Sequence, residues 1–155
     1  MSMQRLWRRL AKRLSRLRPE SGPRVVHTKI NGYSLLVLAN EEGGRAIHYG
    51  RDFEREETEL LRRVIVDDAV CIDIGANVGY FTLLMARCAP RGEVHAFEPQ
   101  ALNAALLRAS IALNSCANVH VVESAVGAAP GEVELVQSVD SAFSSLHDTG
   151  RKAVH

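Results

Sequence analysis

The chain of 155 residues is 46% hydrophobic and 24% charged, with 11 Gly, 5 Pro and 3 Cys, a balance that excludes a disordered, collagenous or disulfide-stapled polypeptide. No apolar run approaches the roughly 18–20 residues that a membrane-spanning helix needs. The formal net charge of +1 hides an asymmetry: residues 1–24 hold eight basic residues and one acid, which leaves 11 basic and 17 acidic residues for the remainder. A basic arm on a mildly acidic body argues against a domain that coats nucleic acid.

The arm, residues 1–18, places Met3, Leu6, Trp7, Leu10, Leu14 and Leu17 at helical spacings with arginines on the other face, which predicts a basic amphipathic helix. Pro19 ends it, and residues 19–24 read as a linker. Three roles stay open for the helix: packing on the domain or on a partner, peripheral contact with an anionic membrane, or an Arg-rich transit peptide.

Residues 25–53 read as a β-hairpin and a connecting segment. Val25–Ile30 and Tyr33–Leu38 flank Asn31-Gly32, the pair that supplies the positive φ angles of a two-residue turn. The stretch Asn40-Glu41-Glu42-Gly43-Gly44 is expected to break regular structure. Glu54 to Val66 then reads as a helix with acids ahead of Arg62 and Arg63, as the helix dipole favours.

From Asp67 the pattern alternates: a strand Ala69–Ile74, a glycine turn, a helix to about Cys88, a strand Glu93–Phe97, a helix from about Ala101 to Leu113, and a strand Val119–Val122. Apolar strands separated by helices of this length predict a parallel α/β sheet with right-handed crossovers. Residues 131–136 look hairpin-like, and the tail 141–155 gives no firm element. Cys71, Cys88 and Cys116 are odd in number and show no CxxC spacing, so neither a disulfide nor a metal site is expected, and a reducing, cytoplasmic setting follows. Cys71, inside an apolar run, reads as a buried small hydrophobe.

Chemistry concentrates at Asp73-Ile74-Gly75-Ala76-Asn77-Val78-Gly79, a strand running through a turn into a helix. The spacing differs from the dinucleotide fingerprint G-x-G-x-x-G, because an acid stands where its first glycine would be. Asp73 suits a cationic ligand such as the methionyl part of S-adenosylmethionine. Gly75 would let backbone approach the ligand, and Gly79 would let the helix pack closely on the strand. The alternative is a tight turn with no ligand. Glu98 follows the next strand and can accept hydrogen bonds from both hydroxyls of a ribose, or be a solvated loop acid.

Residues 70–79, Phe97-Glu98-Pro99 and the stretch from Asn114 through Gly127 together resemble the FkbM family of S-adenosylmethionine-dependent methyltransferases, over roughly residues 54–146. The resemblance implies a Rossmann-like class I methyltransferase fold. It also implies a donor site built from Asp73, Gly75, Ala76, Asn77, Gly79 and Glu98, with Ser124 and Ala125 near the adenine. The implied acceptor is a hydroxyl of a carbohydrate or secondary metabolite. Ser141–Leu146 is similar to the serine-rich stretch before the family's fourth strand. The sequence ends at His155 before the Ile-Asp-Val-Glu-Gly-type motif that follows in the family, so residues 54–155 read as a partial methyltransferase domain with an incomplete sheet. No residue is assigned as catalytic base. Two competing readings remain: a non-catalytic fragment attached to a membrane or partner through residues 1–18, and an NAD-dependent oxidoreductase.

Overall fold

The computed structural model describes residues 22–50, 53–129 and 131. The basic arm and the tail, with the elements expected there, lie outside the described residues. Strands β1 (Val25–Ile30) and β2 (Tyr33–Leu38) pair antiparallel with Ile30 opposite Tyr33. Asn31 and Gly32 turn between them with φ of 53° and 80°, the doubly positive pair that matches the twist of a hairpin.

Helix α1 (Glu42–Tyr49) corrects the sequence reading, since Gly43 and Gly44 lie inside it and do not end structure. A Cβ on Gly44 would stand 2.0 Å from the carbonyl oxygen of Leu38. The glycine is there so that the first turn of the helix can lie on the end of β2. This burial, which seats Ile47 in the core, outweighs the weak helix propensity of glycine.

Helix α2 (Arg55–Val64) leads to strand β3 (Val70–Ile74), helix α3 (Tyr80–Cys88), strand β4 (Glu93–Phe97), helix α4 (Ala101–Asn114) and strand β5 (Val119–Val122). The three strands form a parallel sheet in the order β3-β4-β5, as the alternating pattern predicts. Val94 and Ala96 on one face are fully buried, and their partners across β3 are Cys71 and Asp73. The other face carries Val70, Ile72 and Ile74, each more than 60% exposed among the described residues. Cys71 is only half-buried, less enclosed than its apolar run predicts; partial burial still raises its thiol pKa.

The main core lies between the hairpin and the helices, where Leu35, Val37, Leu83 and Leu84 are essentially inaccessible. Each such side chain contributes about 1.5–3 kcal/mol by leaving water. The outer edge of β2 is not left open. Asn114 accepts from the Ser34 amide at 2.9 Å and donates to the Ser34 carbonyl at 2.6 Å, while Ser110 accepts from the Leu36 amide at 3.0 Å. Side chains of α4 therefore satisfy backbone groups that a further strand would otherwise pair.

A Gly44→Ala variant is expected to lose about 2 kcal/mol of stability through this overpacking. Gly22→Ala, where a Cβ meets nothing within 4 Å, is expected to stay within about 0.5 kcal/mol. Chemical denaturation of the two variants checks the difference.

Candidate functional site

The connection from β3 to α3 is bound to the end of β4. The amides of Gly75 and Ala76 both donate to the Phe97 carbonyl, at 2.9 and 3.0 Å. The Asn77 amide donates to Oε2 of Glu98 at 2.8 Å, and Oε1 of Glu98 accepts from the Gln100 amide at 2.9 Å. The Asn77 side chain caps the Val78 amide at 2.7 Å, and the Gly79 amide donates to the Ala76 carbonyl at 2.9 Å. Five successive amides, 75 through 79, thus find partners inside the protein.

Three positive φ values make this path possible: Gly75 at 78°, Asn77 at 50° and Gly79 at 95°. A Cβ on Gly75 would meet nothing within 4 Å, so the backbone there borders open space. A Cβ on Gly79 would stand 2.3 Å from Cδ1 of Leu107. The close approach at Gly79 is therefore to helix α4, not to the preceding strand as expected from the sequence.

Asp73 lies near the end of β3 and accepts a short hydrogen bond from the hydroxyl of Thr82 in α3. Burial holds its carboxyl above the ordinary value of 3.8, against the opposing pull of the Thr82 hydrogen bonds. A carboxylate that is short of solvent and, among the described residues, without a cationic partner favours a positively charged ligand.

A cavity of about 220 Å³ opens beside the turn. Asp73, Gly75, Ala76, Asn77, Val78, Tyr80 and Phe81 form one wall; Leu38, Glu41, Gly43, Gly44, Ile47, Phe53 and Glu54 form the other. Among the described residues, three carboxyl side chains and no Lys, Arg or His line it.

Four residues expected at the site therefore gather around one cavity: Asp73, Gly75, Ala76 and Asn77. Glu98, only 4% exposed, does not line it but joins it through the Asn77 amide. Ser124 and Ala125 lie past the end of β5, with the Ser124 hydroxyl 3.1 Å from the Ala125 carbonyl, and do not line the cavity. Sequence reasoning missed the second wall. The only signal available was that Phe53 and Glu54 directly precede an amphipathic helix.

The sequence model of the methyltransferase FkbM domain matches residues 73–154, more than half of the chain. A 38-residue stretch is 55% identical to the AMB antimetabolite synthetase AmbE of Pseudomonas aeruginosa, covering 24% of this chain and 2% of that protein. Among solved structures, TYW2 of M. jannaschii in complex with AdoMet is similar at 20% identity and a TM-score of 0.52, over 67% of this chain and 45% of that one. Trm5b of Pyrococcus abyssi is similar at 22% identity and a TM-score of 0.52, over 64% and 28%. The chain thus spans less than half of the length of each of these proteins. Likeness at this identity establishes a shared fold, in agreement with the Rossmann-like α/β architecture read from the sequence.

Because the raised Asp73 carboxyl binds its proton more tightly in the folded chain than in the unfolded one, its own contribution to stability falls as pH rises from about 3.8 through the raised folded value. Asp73→Asn keeps an oxygen for Thr82 and removes the charge. The variant is expected to match the unaltered chain near pH 3 and to exceed its stability at neutral pH, with the gap opening between, as thermal unfolding across that pH range would show.

Proposed function

The chain belongs to the methyltransferase FkbM family, and from that premise we propose that it transfers the methyl group of S-adenosylmethionine to a hydroxyl of a carbohydrate or secondary metabolite. The observation that carries this reading is the chemistry of the cavity wall: carboxyl groups, a glycine that borders open space, and, among the described residues, no basic side chain. That lining fits a donor with a sulfonium and an ammonium group. It fits the pyrophosphate of a dinucleotide less well, because such a site also takes hydrogen bonds from the amides of the glycine turn. Here the turn amides, 75 through 79, are engaged with Phe97, Glu98, Asn77 and Ala76.

The donor, when bound, supplies a methyl carbon that is already activated by its positive sulfur. Asp73 would face the cationic portion, and the backbone at Gly75 to Asn77 would border it. The family resemblance gives the ribose to Glu98; because the carboxylate is 4% exposed and off the cavity wall, a ribose would have to reach it beside the turn amides that now bind Glu98. Each of its oxygens already accepts one amide and retains a further acceptor direction. Ser124 and Ala125 would approach the adenine. The protein's remaining tasks are to align the acceptor oxygen with the methyl carbon and to assist loss of its proton. Among the described residues no histidine lines the cavity, and none is assigned as the base. The contact of residues 1–18 with a membrane or partner remains a separate proposal, resting on their amphipathic pattern alone.

Incubation with methyl-labelled S-adenosylmethionine and a panel of sugars and hydroxylated small molecules tests the acceptor class. Label is expected in a methyl ether, stable to mild acid and base. Label in an amine or a carboxyl ester would contradict hydroxyl methylation.

A further inference from the structure

We propose that Glu54, held at the cavity by Tyr80, distinguishes the positively charged methyl donor from the product that remains after transfer. The inference rests on the function proposed above and adds a residue that precedes the region matched by the family.

Tyr80 immediately follows the glycine turn, and its phenol ties that turn to the opposite wall. The hydroxyl donates to the Phe53 carbonyl at 2.8 Å, lies 2.9 Å from the Thr58 hydroxyl, and accepts from the Asn31 side chain at 3.0 Å. Its ring meets Phe53 edge-on with centroids 4.9 Å apart. Glu54 sits between two of these fixed points. The carbonyl before it is held by Tyr80, and its own carbonyl accepts the Thr58 amide at 2.9 Å. Its backbone is left-handed, with φ 43° and ψ 50°, a conformation that a non-glycine residue keeps only where its surroundings impose it. The consequence is that Glu54 lines the same cavity as Asp73. Although the residue as a whole is exposed, partial burial of its carboxyl, with Glu57 nearby, raises its proton affinity.

Methyl transfer breaks the sulfur–carbon bond and leaves its electron pair on sulfur. A carbon–oxygen bond forms while the proton of the acceptor hydroxyl passes to solvent. The ligand left behind carries one positive charge fewer. A carboxylate at this wall therefore attracts the donor more than the product, and its hold weakens when the reaction is done.

Calorimetric titration of S-adenosylmethionine and S-adenosylhomocysteine into the full 155-residue chain, and into its Glu54→Gln and Tyr80→Phe variants, tests this, with circular dichroism to check folding. Glu54→Gln is expected to weaken donor binding about fivefold while leaving the product nearly unchanged. Tyr80→Phe keeps the ring and frees Phe53, and is expected to narrow the donor-to-product ratio in the same direction. Thr58→Ala serves as the milder variant if Tyr80→Phe does not fold. Equal weakening of both ligands by Glu54→Gln, or no change in either, overturns the proposal. A ratio unchanged in both Tyr80→Phe and Thr58→Ala overturns the positioning role. If the unaltered, folded chain binds neither ligand, the function proposed above falls, and this inference with it.

Discussion

The structure depends on how the end of β4 holds the glycine turn. One carbonyl, that of Phe97, accepts two successive amides, and one carboxylate, that of Glu98, accepts the third. A buried amide left without a partner costs about 1–3 kcal/mol, so these bonds fix the turn firmly in one path. They also decide what the turn can bind. In dinucleotide and phosphate sites the same stretch of backbone presents its N–H groups to the ligand. Here the N–H groups face the protein, and the cavity side of the turn presents carboxyl groups and the open flank of Gly75.

The site is equally a product of the layers around it. Helix α4 packs between the hairpin and the parallel sheet: Ser110 and Asn114 bind the edge of β2, while Leu107 fills the space left by Gly79. The hairpin, thus anchored, carries α1 onto the cavity, and Tyr80 draws the start of α2 to the same place. The second wall therefore comes from residues outside the matched family region.

Much of this was legible in the sequence. The strands β1, β2, β4 and β5 fall where alternation and turn residues put them, because Asn-Gly and short apolar runs act locally. The motif from Asp73 to Gly79 announced a strand, a turn and a helix, and the family match agrees with the resemblance drawn from it. Helix α1 was not legible. Its two glycines signal a break locally, and only the close approach to Leu38 explains why a helix forms there. The role of Gly79 against Leu107, and the hydrogen bonds of Glu98 to its own backbone neighbours, depend on side chains brought together by the sheet. No spacing encodes such contacts. The same holds for Tyr80, which reads as one more aromatic in an apolar helix until Phe53, Thr58 and Asn31 are folded around its hydroxyl.

The central claim is that a turn with its amides engaged, lined by acids, accepts an adenosyl ligand that bears an ammonium group and not a dinucleotide. Paired calorimetric titrations of S-adenosylhomocysteine and NAD into the 155-residue chain test it most directly. The account predicts binding of S-adenosylhomocysteine in the micromolar range, about −8 kcal/mol, and no heat from NAD. Comparable affinity for NAD, or a folded chain that binds NAD alone, would contradict it.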